Sequence, residues 1–142
     1  MGLLSKFFNN TRKPEGFFGK MMVNSMNSGH ATMADWGISH LTANPLSIAE
    51  LGCGGGRNAV ELMQKYPEAT LTALDYSEVS VEKTKKTAKA EIESGRCTVV
   101  QGDVSKLPFA DVSFDPATAF ETVYFWKLRE GFAEVYLVLK SG

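Results

Sequence analysis

At 142 residues, 44% of them hydrophobic and with a formal net charge of −1, the chain has the size and apolar content of one folded domain with a real core. Disorder is excluded on that balance, and no basic surface invites a nucleic acid, because the lysines gather mainly in "EKTKKTAKAE", a solvated helix face. Cys53 and Cys97 have neither disulfide nor zinc spacing, no apolar run reaches membrane-spanning length, and "MGLLSKFFNNTRK" lacks an export signal and has Lys6 where myristoylation wants Ser or Thr, so a cytoplasmic protein with no metal site and no membrane partner is expected.

Residues 1–44 stand apart in composition. Apolar residues recur at helical spacing through "PEGFFGKMMVNSMNSGHATMADWGISHL", which predicts two or three short helices, broken near Gly29 and ended by "TANP". Its Phe and Met content is expected to pack onto the following region, with a lid over a ligand as the alternative. From Pro45 to Gly142 strand and helix signals alternate, the pattern of a parallel sheet with crossover helices. "LSIAEL" is the first strand, "RNAVELMQKY" a helix stopped by Pro67, and "TLTALD" the second strand. "SEVSVEKTKKTAKAEIESG" reads as one helix with Ser77 as N-cap and Gly95 as C-cap, and "CTVVQ" as the third strand. "FDPATAFETVYF" is the fourth strand, its regular pairing beginning after Pro116, and "LREGFAEVYLVLK" the last helix. The fold class is therefore α/β: a Rossmann-like parallel sheet with helices on both faces, incomplete at about four strands, plus an N-terminal helical cap.

The chemistry gathers around "AELGCGGGRNAVEL". In a strand–loop–helix unit this loop lies at the carboxyl end of the strand, where open α/β sheets bind ligands, and glycines let the backbone approach one closely. A phosphate-cradling loop needs Lys followed by Ser or Thr after the glycines, and Arg57-Asn58 stands there instead. A dinucleotide fingerprint is recovered only by sliding the frame to Gly54, Gly56 and Ala59. The acidic residues Glu50, Asp75, Asp103 and Glu121 all fall at or just beyond strand ends on one edge of the sheet. Such a ring suits a cation-bearing nucleoside and disfavours a pyrophosphate. The carboxylate of Asp75 has the geometry to take both hydroxyls of a ribose, although Asp75 and Asp103 also have a plain reading as turn formers.

"ELGCGGGRN" resembles the glycine loop of class I S-adenosylmethionine-dependent methyltransferases. "LDYS" looks like their acidic second-strand end, "GDVSKLPF" like their adenine loop, "FDPATAFETVYFW" like their fourth strand, and "FAEVYLVLKSG" like the helix before a Lys-Pro-Gly-Gly turn. The order and spacing match over residues 45–142, and "MNSGHATMADWGISHL" resembles the cap of a bacterial small-molecule subset, in the methyltransferase domain 11/25 group. The resemblance implies S-adenosyl-L-methionine as cofactor and a small-molecule acceptor. It places Glu50 at the methionine amino group, and the backbone of Gly52, Cys53, Gly54 and Gly56 along the methionine portion. Asp75 then holds the ribose, Asp103, Val104 and Tyr76 the adenine, and Phe120 with Glu121 lies beside the sulfonium. No acceptor-reading motif of nucleic-acid amino methylases is present. Catalytic candidates are His30, as a base near neutral pH, Glu121 and Tyr124, with Trp126 as a further lining residue; plain aromatic packing and a surface histidine are the competing readings.

The family's domain continues to a seven-stranded sheet, and Ser141 stands where proline is usual, so a C-terminally truncated chain is expected, its fourth-strand edge covered by a second copy in a homo-oligomer. Two other readings stay open: a non-catalytic S-adenosylmethionine-binding or interaction module, and a nicotinamide-dependent oxidoreductase.

Overall fold

The computed structural model describes residues 2, 4–5, 13–41 and 43–141, with the main chain alone for 26–29. The helix stop at Thr42, the Lys6 position and Gly142 lie outside the described residues. Four parallel strands, β1 (Ser47–Leu51), β2 (Thr70–Asp75), β3 (Cys97–Gln101) and β4 (Ala117–Thr118), form one sheet in the order β3-β2-β1-β4. The chain moves outward from β1 through β2 to β3, then returns to pair β4 on the other side of β1. That reversal opens a crevice beyond the carboxyl ends of β1 and β4.

β1 is central, and Ile48 through Leu51 are buried on both of its faces. On one face, Ile48, Leu71 and Ala73 pack with Leu62 and Met63 of helix α3 (Arg57–Lys65). On the other, Ala49, Leu51 and Leu74 meet Leu107, Phe114 and Val138, the last from helix α6 (Leu128–Val138). Helices on both faces of a parallel sheet are thus observed.

Three elements differ from expectation. The helix predicted over 77–95 is two, α4 (Glu78–Thr87) and α5 (Lys89–Glu93), broken at Ala88, which is fully buried among the residues under the sheet. Its ends are as expected: the Ser77 hydroxyl accepts from the Ser80 N–H, and Gly95 turns the chain with φ +78°. The fourth strand pairs only at Ala117 and Thr118, after Pro116, because Glu121 takes φ +51° and Val123–Phe125 coil into a 3-10 turn. The last helix stops at Val138, and Leu139 becomes extended to bridge Phe114.

The N-terminal region supplies α1 (Gly16–Gly29) and α2 (Ala31–Ser39), separated at His30. Their buried contacts come from Val23, Ala34 and Ile38, whereas Phe17 and Phe18 are 72% and 73% exposed and Met21 and Met33 also face outward. The expectation that Phe and Met fasten this region is corrected in that respect. Polar ties add to the buried contacts of Val23, Ala34 and Ile38. Arg57 makes a two-pronged bond to Asp35 (2.7 and 2.9 Å), the Tyr66 hydroxyl donates to the Leu41 carbonyl (3.1 Å), and Lys65 Nζ donates to that same carbonyl (3.2 Å).

Candidate functional site

The glycine loop is held from below. The N–H groups of Gly52 and Cys53 both donate to the Leu74 carbonyl of β2 (2.8 and 3.0 Å), and Gly56 N–H donates to the Cys53 carbonyl. Gly56 caps α3 with φ +87°, and a Cβ there would stand 2.8 Å from the Thr84 backbone. Gly52 has φ +81°, and its missing Cβ would strike Thr122. Gly54 differs: it too has positive φ (+56°), yet nothing lies within 4 Å of where its Cβ would be. The loop is therefore tight against the protein at Gly52 and Gly56 and open at Gly54, a cradle facing the crevice.

Asp75 closes the β2 side. One carboxylate oxygen accepts from Gly54 N–H (2.9 Å) and the other from Ser77 N–H (2.9 Å). Burial raises its pKa, and those N–H donors partly offset the rise. The Ser80 hydroxyl and the Tyr76 N–H also face the carboxylate, so Asp75 is held in orientation from several sides. Beside it Tyr76 is half exposed, with Lys13 Nζ 4.9 Å over its ring, while the Pro14 carbonyl takes the Ser77 hydroxyl. Asp103 forms the turn its plain reading predicted, accepting from Ser105 N–H (2.8 Å), and it lines the same crevice with Val104.

Glu50 is 1% exposed, and neither carboxylate oxygen has a hydrogen-bond partner in the protein. Burial, and then the charge of Asp75, pushes its carboxyl up to about 8. A buried acid without a donor is costly, and it fits a ligand that brings a cationic donor to it. Cys53 is buried and its thiol raised well above the ordinary value, chiefly by burial, which makes it an inert small residue of the loop.

Across the crevice, at the end of β4, His30 Nδ1 stands 2.6 Å from Glu121 Oε2. Phe120 is partly buried, with Gly37 of α2 so close that a Cβ there would lie 3.0 Å from its ring. Tyr124 is exposed, edge-on to Phe125 at 4.7 Å, and partial burial, then the Glu121 charge, raise its hydroxyl above the usual range. Trp126 lines the wall beyond them.

One crevice thus gathers Gly52, Cys53, Gly54, Asp75, Tyr76, Asp103, Val104, Phe120, Glu121, Tyr124 and His30, whereas Glu50 and Gly56 are buried and do not line it. Sequence reasoning missed Thr84, whose hydroxyl donates to the Gly54 carbonyl (2.9 Å), Thr122 against Gly52, and Pro14. None of them carries a spacing signal.

A sequence profile described as a methyltransferase domain matches residues 48–142. The chain belongs to this family, the class I S-adenosyl-L-methionine-dependent methyltransferases, whose cofactor is S-adenosyl-L-methionine. It is 34% identical over 98 residues to the sterol 24-C-methyltransferase erg-4 of Neurospora crassa, covering 68% of this chain and 26% of that protein. The chain therefore spans about a quarter of that relative's length. A Methanococcus maripaludis protein assigned to the S-adenosyl-L-methionine-dependent methyltransferases superposes with a TM-score of 0.71 at 25% identity, over 87% of this chain and 60% of that one. Geranyl diphosphate methyltransferase, solved with geranyl diphosphate and sinefungin, shares the fold with a TM-score of 0.71 at 18% identity, over 79% of this chain and 42% of that one. Among the described residues no helix is long and apolar enough to cross a membrane.

Proposed function

We propose that this chain binds S-adenosyl-L-methionine in the crevice and serves methyl transfer to a small-molecule acceptor. The observation that carries this is Glu50: a buried carboxylate, without a partner, at the foot of a glycine cradle left open at Gly54. When bound, the cofactor supplies an activated methyl group on a sulfonium. Glu50 answers its ammonium, the open face of Gly54 lets the methionine portion lie against the backbone, and the Asp75 carboxylate faces the ribose hydroxyls. The loop N–H groups of Gly52, Cys53 and Gly56 are already spent inside the protein, so those residues serve by shape. Asp103, Val104 and Tyr76 form the adenine side, and Phe120 with Glu121 the side of the reacting methyl. Alignment of two reactants away from water contributes on the order of 7 to 11 kcal/mol in well-oriented systems, so a catalytic triad is not required.

Isothermal titration with S-adenosyl-L-methionine and with its demethylated product is the test. We expect micromolar binding of both, weakened at least tenfold by Asp75→Ala. A folded chain that takes up neither would defeat the proposal. Binding without transfer to any member of a small-molecule pool would favour a binding module instead.

A further inference from the structure

The N-terminal cap carries an apolar face turned to solvent. On α1, Phe17, Phe18 and Met21 are each more than half exposed, while Gly19 and Val23 on the other side of the helix are buried. Positions i, i+1 and i+4 of a helix fall within an arc of about 100°, so the two rings and the thioether share one side. Lys20, also exposed, flanks that side, and Asn24 and Ser25 continue it as a polar stretch. The exposed apolar surface is thus confined to the first two turns of α1.

Charge is distributed in the same sense. Lys6, Arg12, Lys13 and Lys20 against Glu15 give residues 1–29 a net charge of +3, so residues 30–142, in a chain of −1 overall, carry −4. No acidic residue lies in α1 itself. Lys13 is paired with Glu15 and lies over the Tyr76 ring, which leaves Lys20 as the cation of the apolar face.

Size separates the occupants such a face could take. Two aromatic rings and one methionine, partly exposed, offer on the order of 400 Å². Each partner of a standard protein interface buries about 800 Å², so the face is too small to hold a second copy of the chain. A bilayer needs no complementary shape: apolar side chains enter the headgroup boundary, lysine meets anionic headgroups, and a helix lying in that plane needs no spanning length. The expectation of no membrane partner rests on the missing membrane-spanning run, which does not bear on a contact of this kind. Repulsion between the acidic remainder of the chain and an anionic surface turns the cap toward the lipid.

We propose that α1 is a membrane-docking helix that lays Phe17, Phe18 and Met21 into the interface of an anionic lipid bilayer, with Lys20 at the headgroups. Pro14, just before the helix, and His30, just after it, both line the crevice, so the docking helix is joined to the crevice at each end. The inference goes beyond the methyl-transfer reading and does not depend on it.

The test is flotation of the full chain, without cofactor, with vesicles of phosphatidylcholine alone and of phosphatidylcholine and phosphatidylserine in equal parts. The chain should partition at least about tenfold more strongly onto the anionic vesicles, and high salt should weaken that binding several-fold. Phe17→Ser combined with Phe18→Ser should weaken it at least about tenfold, and Lys20→Glu roughly tenfold, with melting temperatures unchanged because these side chains face solvent. Tyr136→Ser, at an exposed aromatic position of α6, is the control and should change binding less than about twofold. No binding to anionic vesicles, equal binding to both vesicle types, or an equal loss in Tyr136→Ser would each overturn the proposal. So would a dimer in sedimentation velocity that dissociates on the paired Phe substitutions, which would assign the face to a second copy. None of these measurements involves S-adenosyl-L-methionine, so their failure leaves the methyl-transfer reading untouched.

Discussion

The two sides of the crevice are built by different means. At the ends of β1 and β2 the main chain does the positioning: Gly52 and Cys53 hang from the Leu74 carbonyl, and Asp75 is gripped by the N–H groups of Gly54 and Ser77. At the end of β4 side chains do it, through His30 against Glu121 and a run of partly exposed aromatic rings on a strained turn. Backbone ties are indifferent to most side-chain changes but intolerant of a misplaced Cβ. Side-chain ties can be exchanged one residue at a time. Under the proposed function, the difference would set a rigid half for the cofactor beside an adjustable half for the acceptor.

The strongest way to probe the rigid half is through Glu50. Its carboxyl is raised from 4.5 to about 8 in the folded chain, so between those values the folded state holds a proton that the unfolded state has lost. Stability therefore falls as pH rises through that window and levels off above it. At about 1.4 kcal/mol per pH unit the full effect is on the order of 5 kcal/mol. The upward shift of Asp75 acts in the same direction. Urea unfolding of the ligand-free chain at pH 5 and pH 8.5 should show the loss, and Glu50→Gln should remove most of it, leaving the variant the more stable of the two at pH 8.5. A wild-type chain equally stable at both pH values would show that Glu50 is not held as a buried acid. Cofactor binding near neutral pH should also release a proton, seen as a titration heat that depends on the buffer.

A pair of glycines sharpens the contrast between tight and open parts of the loop. Gly56→Ala combines a left-handed backbone, about 1 to 2 kcal/mol for an L-residue, with a Cβ 2.8 Å from the main chain of α4, and should cost about 3 to 4 kcal/mol in all. Gly54→Ala has the same backbone strain but open space, so about 1 kcal/mol of stability is lost. The new methyl group projects from the cradle, so cofactor affinity should fall about tenfold or more. Parallel melting curves and cofactor titrations check both; equal destabilisation by the two substitutions would erase the distinction.

Much of the rigid half was legible in the sequence because it rests on local signals. The apolar runs of β1, β2 and β3 mark buried parallel strands, glycines mark the turn between strand and helix, and Asp75, Asp103 and Glu121 meet because strand ends in such a sheet share one edge. What was not legible depends on contacts between distant parts of the chain. β4 looked like a long strand because its residues are apolar and aromatic, yet the positive φ of Glu121 ends it after Thr118. Phe17 and Phe18 looked like core residues, while the cap is fixed by Val23, Ala34 and Ile38 and by polar ties. Nothing in spacing announces that His30 meets Glu121, or that Thr84 and Thr122 lie where Gly56 and Gly52 can have no Cβ.

The smallest effect belongs to the tie that carries the cap into this arrangement. Arg57 and Asp35 form a two-pronged ion pair linking α2 to α3, with Arg57 partly buried and Asp35 about half exposed. Exposed pairs of this kind contribute between about 0.2 and 1 kcal/mol, and a bidentate geometry favours the upper part of that range. Asp35→Asn should therefore lower stability by less than about 1 kcal/mol, and the loss should shrink in high salt. Its functional trace should be lopsided. Gly37, two residues further along α2, bears on Phe120 beyond the end of β4, while the glycine loop draws its support from β2 and α4. Cofactor affinity should then be unchanged within twofold and the KM for the acceptor raised a few-fold. Equal changes in both would mean that the two sides of the crevice are mechanically one, and the division between a rigid and an adjustable half would not stand.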